Sequence, residues 1–198
     1  MRAPIHDLHV SNTLSYLSLA AGVAAIAASQ TPGGRPAACA LMAGSALADT
    51  FDGRFARRFA RSTRQSRVGA ETDNLVDALV FGIVPVVVVS RSVGPAGAVA
   101  TASLFAAAFV YLLAVVLRLG FFSSEPDCGR FIGLPTPVCA LVWATVLAWQ
   151  VSVATAAGVF LACAAAMVWP VRIIRPRGAG LVAFAAWAVG LAVWHLTR

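Results

Sequence analysis

Seven apolar stretches dominate the sequence, near residues 12–30, 36–53, 71–91, 95–119, 135–151, 153–171 and 179–197. A helix needs about 20 predominantly apolar residues to cross the hydrocarbon of a bilayer. No water is present there to satisfy an open backbone, so helices and closed barrels are the only solutions. Stretches of this length predict an all-α integral membrane protein, a bundle of six to seven transmembrane helices. Composition agrees: 60% of the 198 residues are hydrophobic and 12% are charged, at a mean hydropathy of +0.82, well away from the soluble average. The breaks are short turns such as "TPGGRP", "SVGPAG" and "RPRGAG", so residues 1–198 read as one membrane domain. A leader over 1–11 lacks the charged start and cleavage site of a secretory signal, which makes the first window a retained helix. Runs such as "AAGVAAIAA" and "LFAAAF" let backbones approach closely.

The net charge of +7 is carried entirely by 15 arginines, with no lysine. With a cytoplasmic N-terminus, the leader and the turns after the second, fourth and sixth windows hold Arg2, Arg54, Arg57, Arg58, Arg61, Arg64, Arg67, Arg118, Arg130, Arg172, Arg175 and Arg177. The opposite side keeps Arg35, Arg91 and Arg198. This asymmetry follows the positive-inside rule and accounts for the charge without nucleic acid. It also places every acidic residue on the cytoplasmic side. Arg58, Arg61, Arg64 and Arg67 read as a solvated basic face, and Trp194 with His195 as an anchor at the far interface. Cys39, Cys128, Cys139 and Cys163 have no paired spacing and read as small packing residues, Cys128 in a loop.

The stretch 49–77 concentrates the chemistry. Asp49 and Asp52 are three apart at the end of the second window, and Asp73 and Asp77 are four apart at the start of the third. Each spacing puts a pair on one helical face. If the two helices are antiparallel neighbours, four carboxylates converge at the cytoplasmic end of the bundle. Charges that close require cations, and an oxygen-only donor set suits Mg2+ or Mn2+, with room for two ions. The competing account, helix caps paired with local arginines, suits one aspartate better than four. Gly53 and Gly69 would let a polar ligand approach the backbone, and Arg57 offers a planar donor for phosphate oxygens.

Asp49, Asp52-Gly53, Ala56-Arg57, Gly69, Asp73 and Asp77 together resemble the motif D-x-x-D-G-x-x-A-R, then G-x-x-x-D-x-x-x-D, of the CDP-alcohol phosphotransferases. Eleven residues separate Arg57 from Gly69 where the family usually has fewer, which lengthens the cytoplasmic turn. "DNLVDALVFGIVP", "FIGLPTP" and "MVWPVRI" resemble segments of the phosphatidylserine synthase branch. The resemblance implies a helical core with a cytoplasmic-side active site in a bacterial or archaeal-type cell membrane, and a homodimer. It implies transfer of a phosphatidyl group from CDP-diacylglycerol to an alcohol, with release of CMP. Asp49, Asp52, Asp73 and Asp77 would be metal ligands, Asp77 also the base, and Asp52, Gly53, Ala56, Arg57 and Gly69 the CDP site.

The branch implies L-serine as acceptor, whose carboxylate calls for an arginine. Arg118 is the candidate, with Arg130 in the adjoining loop. "RLGFFS" keeps Arg118 but sets Phe121 and Ser123 where the branch carries a second arginine and an asparagine. Choline, inositol phosphate or glycerol phosphate are the alternative acceptors. From another class, a divalent-cation transporter would use the same aspartates, but such sites lie near the midplane rather than at helix ends.

Overall fold

The computed structural model describes residues 4–124, 130–174 and 178–198, with backbone alone at 4, 6, 130, 131 and 172–174. Arg2, Cys128, Arg175 and Arg177, and the side chains of Arg130 and Arg172, lie outside the described residues. Each apolar window forms a helix. In chain order these are α1 (Thr13–Ser29), α2 (Arg35–Ala56), α3 (Thr63–Asp77), α4 (Val84–Ser92), α5 (Ala98–Ser124), α6 (Thr136–Val146), α7 (Val153–Val168) and α8 (Ala179–Leu196). A π-helical segment, Ala78–Ile83, joins α3 to α4, so Thr63–Ser92 is one continuous rod.

Among the described residues, four helices are long and apolar enough to cross a membrane: Val10–Ser29, Thr63–Ser92, Ala98–Ser124 and Ala179–Leu196. The apolar helices Thr136–Val146 and Val153–Val168 are shorter. The window expected over 135–151 thus yields only 11 helical residues, short of the ~20 needed for a straight span. Pro135 caps its start and Pro137 occupies its first turn, which fixes where it can begin.

The helix at the centre is α2, packed on α1, α6 and α8. Its inward residues are small: Ala38, Cys39, Ala43 and Ala46 are fully buried. Small side chains let neighbours approach from several directions, as close helix packing in a membrane requires. On α1 the buried face is Ser15, Ser18, Gly22 and Ala25. At Gly22 an added Cβ would stand 3.0 Å from Val80 of the π-helical segment. The cysteines Cys39, Cys139 and Cys163 are free and buried, as packing residues should be.

The rod's bend in register has a visible support. Pro85 has no N–H to give the carbonyl of Phe81, four residues back. The buried Tyr111 hydroxyl of α5 donates to that carbonyl instead. Tyr111 in turn packs on Phe160 of α7, which meets Trp143 of α6 at a tilt, ring centroids 4.4 Å apart.

One feature departs from an all-α fold. Arg130–Ile132 (β1) pairs antiparallel with Arg172–Ile174 (β2), with Phe131 opposite Ile173. Beyond the ribbon, the Gly133 N–H donates to the Val171 carbonyl at 2.9 Å and the Leu134 N–H to the Ala166 carbonyl at 2.8 Å. Gly133 has φ of +72° and sits against the Met167 carbonyl, leaving no room for a Cβ. "FIGLPTP" therefore docks on "MVWPVRI", joining the start of α6 to the end of α7.

His195 also departs from expectation. It is buried, with Nε2 2.8 Å from the Ala144 carbonyl. It ties α8 to α6 instead of anchoring at an interface. Trp194 keeps the exposed position, with the Arg198 guanidinium 3.6 Å from its ring centroid.

Replacing Tyr111 with Phe leaves the Phe81 carbonyl without that donor in a dry interior. The expected cost is about 1–3 kcal/mol, read as a lowered unfolding temperature in detergent. An unchanged temperature would remove the hydroxyl from the support of the rod.

Candidate active site

The α2–α3 hairpin brings the acidic residues together. Helix α2 ends at Ala56, and α3 starts at Ser62–Gln65 with a capping box, in which the Ser62 side chain accepts from the Gln65 N–H and the Gln65 side chain from the Ser62 N–H. The long interval between Arg57 and Gly69 is thus divided between a short loop and the first turns of α3. Carboxylate oxygens of Asp49, Asp73 and Asp77 lie within 4.8 Å of one another. Asp52 is buried and joins them: the Ser15 hydroxyl of α1 donates to Asp52 and lies 3.4 Å from Asp73 Oδ1. Asp49 and Asp77 therefore face each other across the α2–α3 hairpin, and the Ser15 hydroxyl touches both Asp52 and Asp73.

Two carboxylates cannot face each other so closely without a proton or a cation between them. The single ion pair among the described residues, Arg64 to Asp7 at 2.8 Å, involves none of the four. Asp77 Oδ1 is buried with no hydrogen-bond partner among the described residues. A buried oxygen left in this way is costly. Together with the oxygen-only donor set, it fits a hard divalent cation. Arg118, buried near the end of α5, lies close enough to Asp77 and Asp49 for its charge to act on both. Its guanidinium stands 4.6 Å from the centroid of the Phe122 ring.

The residues around the cluster divide by environment. Gly53 and Arg57 are exposed beside the cluster, and a Cβ on Gly53 would meet only Arg57 Nη1, at 3.6 Å. Ala56 is buried. Gly69 is also buried, and a Cβ there would stand 2.9 Å from Asn12 Oδ1. Its lack of a side chain is thus explained by the packing of the chain's own Asn12. Asn74 points to α5, donating to Ser123 Oγ at 2.7 Å. Glu71 is exposed.

Ser15 was not among the expected site residues. The signal was present: Ser11, Ser15 and Ser18 recur at helical spacing in a polar stripe, and all three are buried. Arg64 also departs from a freely solvated face. It forms a two-pronged pair with Asp7, at 2.8 and 3.1 Å, tying the leader's 3-10 turns to α3.

The outward face of the rod locates the cluster by depth. Arg64, Arg67 and Glu71 are exposed on α3. One turn further, exposure passes to Leu75, Leu79 and Ile83. Asp73 and Asp77 flank Leu75, so the carboxylates lie where the surface turns from charged to apolar.

Fold and site define a helical membrane protein with a carboxylate cluster suited to a divalent ion at one end of the bundle. The family model described as CDP-alcohol phosphatidyltransferase matches residues 8–171, and the chain belongs to that family. It is 36% identical over 143 residues to the CDP-diacylglycerol–serine O-phosphatidyltransferases of Mycobacterium bovis and Mycobacterium tuberculosis, covering 66% of this chain and 46% of each relative. The enzyme of that name from Mycobacterium leprae is 36% identical over the same length, with 43% of it covered. The chain spans a little under half the length of the curated relatives it matches.

Ser15→Ala removes the hydroxyl donor from Asp52. Mn2+ binding measured by calorimetry is expected to weaken about tenfold, the worth of one hydrogen bond to a charged group. Gly69→Ala should lower stability by about 1–3 kcal/mol through overpacking against Asn12, whereas Gly53→Ala should change it by about 0.5 kcal/mol or less. Equal unfolding temperatures for the two glycine variants would refute the packing role of Gly69.

Proposed function

We propose that this protein transfers a phosphatidyl group from CDP-diacylglycerol to the hydroxyl of L-serine, giving phosphatidylserine and CMP. The observation that carries the reading is the buried Asp77 Oδ1, without a hydrogen-bond partner among the described residues, within a cluster of carboxylates. The family membership and the names of the mycobacterial relatives support it. Asp49, Asp52, Asp73 and Asp77 would hold Mg2+ or Mn2+, two ions for four carboxylates, whose chemistry when bound is to neutralise the diphosphate and the departing CMP.

The chain's own residues supply the rest. Asp77 accepts the proton of the acceptor hydroxyl as its oxygen bonds to the phosphatidyl phosphorus and the bond from that phosphorus to the CMP oxygen breaks. Asp52, Gly53, Ala56, Arg57 and Gly69 form the CDP site, with exposed Arg57 donating to phosphate oxygens. Ser15 orients Asp52 from the neighbouring helix. Arg118 binds the serine carboxylate, assisted by Arg130, while its charge steadies Asp77 and Asp49.

A second acceptor remains in view because of one observation. Phe121, 44% exposed, stands where the serine branch carries an arginine. A site with that substitution would suit an alcohol with less negative charge to bind. The reading further takes residues 1–198 as a single domain, a bundle of six to seven transmembrane helices with the N-terminus and acidic cluster cytoplasmic, and a homodimer among membrane lipids. The arginine asymmetry supports this orientation.

Asp77→Asn should lower CMP release from CDP-diacylglycerol by about 10²- to 10⁴-fold, the usual contribution of a general base, without lowering the unfolding temperature. Full activity would remove Asp77 from the mechanism. With a panel of alcohols, L-serine is expected to stimulate release with formation of phosphatidylserine; stimulation by another alcohol alone would replace the acceptor. Metal flux into sealed vesicles without CMP release would overturn the transferase reading.

A further inference from the structure

Three helical ends meet at the end of the bundle opposite the acidic cluster. They are the turn from α1 to α2, the end of α4, and the turn between α6 and α7. Between them lies a cleft of about 580 Å³, within the usual range for small-ligand sites. Arg35 and Arg91 both line it. The sequence places three arginines on this side, and two of them share one cleft.

No carboxylate among the described residues balances their charge. No aspartate or glutamate lines the cleft. Neither arginine has an ion-pair partner among the described residues. The hydroxyls in the lining are already committed: Ser29, Thr31 and Ser92 donate to the carbonyls of Ile26, Ala28 and Val88. The side-chain donors left for a ligand are the two guanidinium groups, the amide of Gln150 and the second N–H of the Gln30 amide, whose other N–H reaches Ser29 Oγ at 3.3 Å. The N-terminus of α2, with Gly34 at its cap and no side-chain hydrogen bond there, adds to the positive potential. Arg35 is half-buried and Arg91 exposed on the same cleft, so an anion seated there meets positive charge from two helices. Guanidinium forks match phosphate oxygens two at a time.

We propose that this cleft binds a phosphate group, supplied by the headgroup of a phospholipid in the leaflet away from the acidic cluster. Free phosphate shares the chemistry and differs in source. The inference rests on the reading that the bundle crosses the membrane, and it does not depend on the transferase activity. Positive charge on this side opposes the topological preference for basic residues on the cytoplasmic side. A ligand that uses the charge gives these two arginines a role.

The test compares the full chain with the Arg35→Gln/Arg91→Gln double variant and with the corresponding double lysine variant. Purified protein in detergent is titrated with short-chain phosphatidylglycerol, and bound lipid is counted by native mass spectrometry. A parallel titration uses inorganic phosphate alone. Retention of one lipid is expected to weaken about tenfold in the glutamine variant and less in the lysine variant, with CMP release and unfolding temperature equal in all three. Displacement or replacement of that lipid by millimolar inorganic phosphate would assign the same site to the free ion. Equal retention by the full chain and the glutamine variant, with no response to phosphate, would overturn the proposal. Loss of CMP release in the full chain, with lipid retention intact, would count against the transferase reading alone.

Discussion

Four carboxyl groups gathered at the end of an apolar bundle repel one another, and much of the architecture serves to hold them there. At about 4 Å, one such pair costs about 4 kcal/mol at the effective dielectric of a protein surface. A flexible loop would relax that cost by letting the groups part. Here two come from the last turns of α2, the helix packed on α1, α6 and α8, and two from a rod that continues for another four turns. Ser15 braces the cluster from α1, and Arg118 places charge beside it from α5. The helices supply rigidity, the repulsion supplies affinity for a cation, and neither is of use without the other.

The sequence disclosed most of this because its signals were of the kind that survive folding. Apolar length located all seven windows, and helical spacing put each aspartate pair on one face. What stayed hidden depends on contacts between remote residues. Asn12 against Gly69 leaves no periodicity to read, so the sequence showed the glycine without the side chain packed on it. His195 looked interfacial from its place near Trp194, yet its partner is a carbonyl on α6. Ser15 was legible in principle, since buried serines repeating along an apolar helix mark a face turned towards something polar.

The pairing of "FIGLPTP" with "MVWPVRI" shows why local motifs can be noticed without being understood. Each stretch has its own Pro and Gly punctuation, but the reason for Gly133 is the Met167 carbonyl on another helix. The ribbon and the two hydrogen bonds beyond it fix the height at which α6 begins. A helix of only three turns needs such a fixture. Its short length also explains why apolar content alone overstates it as a full crossing.

The exposed row Leu75, Leu79 and Ile83 begins level with Asp73 and Asp77. A donor lipid meeting the cluster at that level can keep its acyl chains among its neighbours while its diphosphate reaches the carboxylates. Delivery is then by lateral diffusion in two dimensions. The effective substrate concentration is a mole fraction in the surface, so the rate on the proposed reading follows dilution by other lipids more closely than dilution of the bulk suspension.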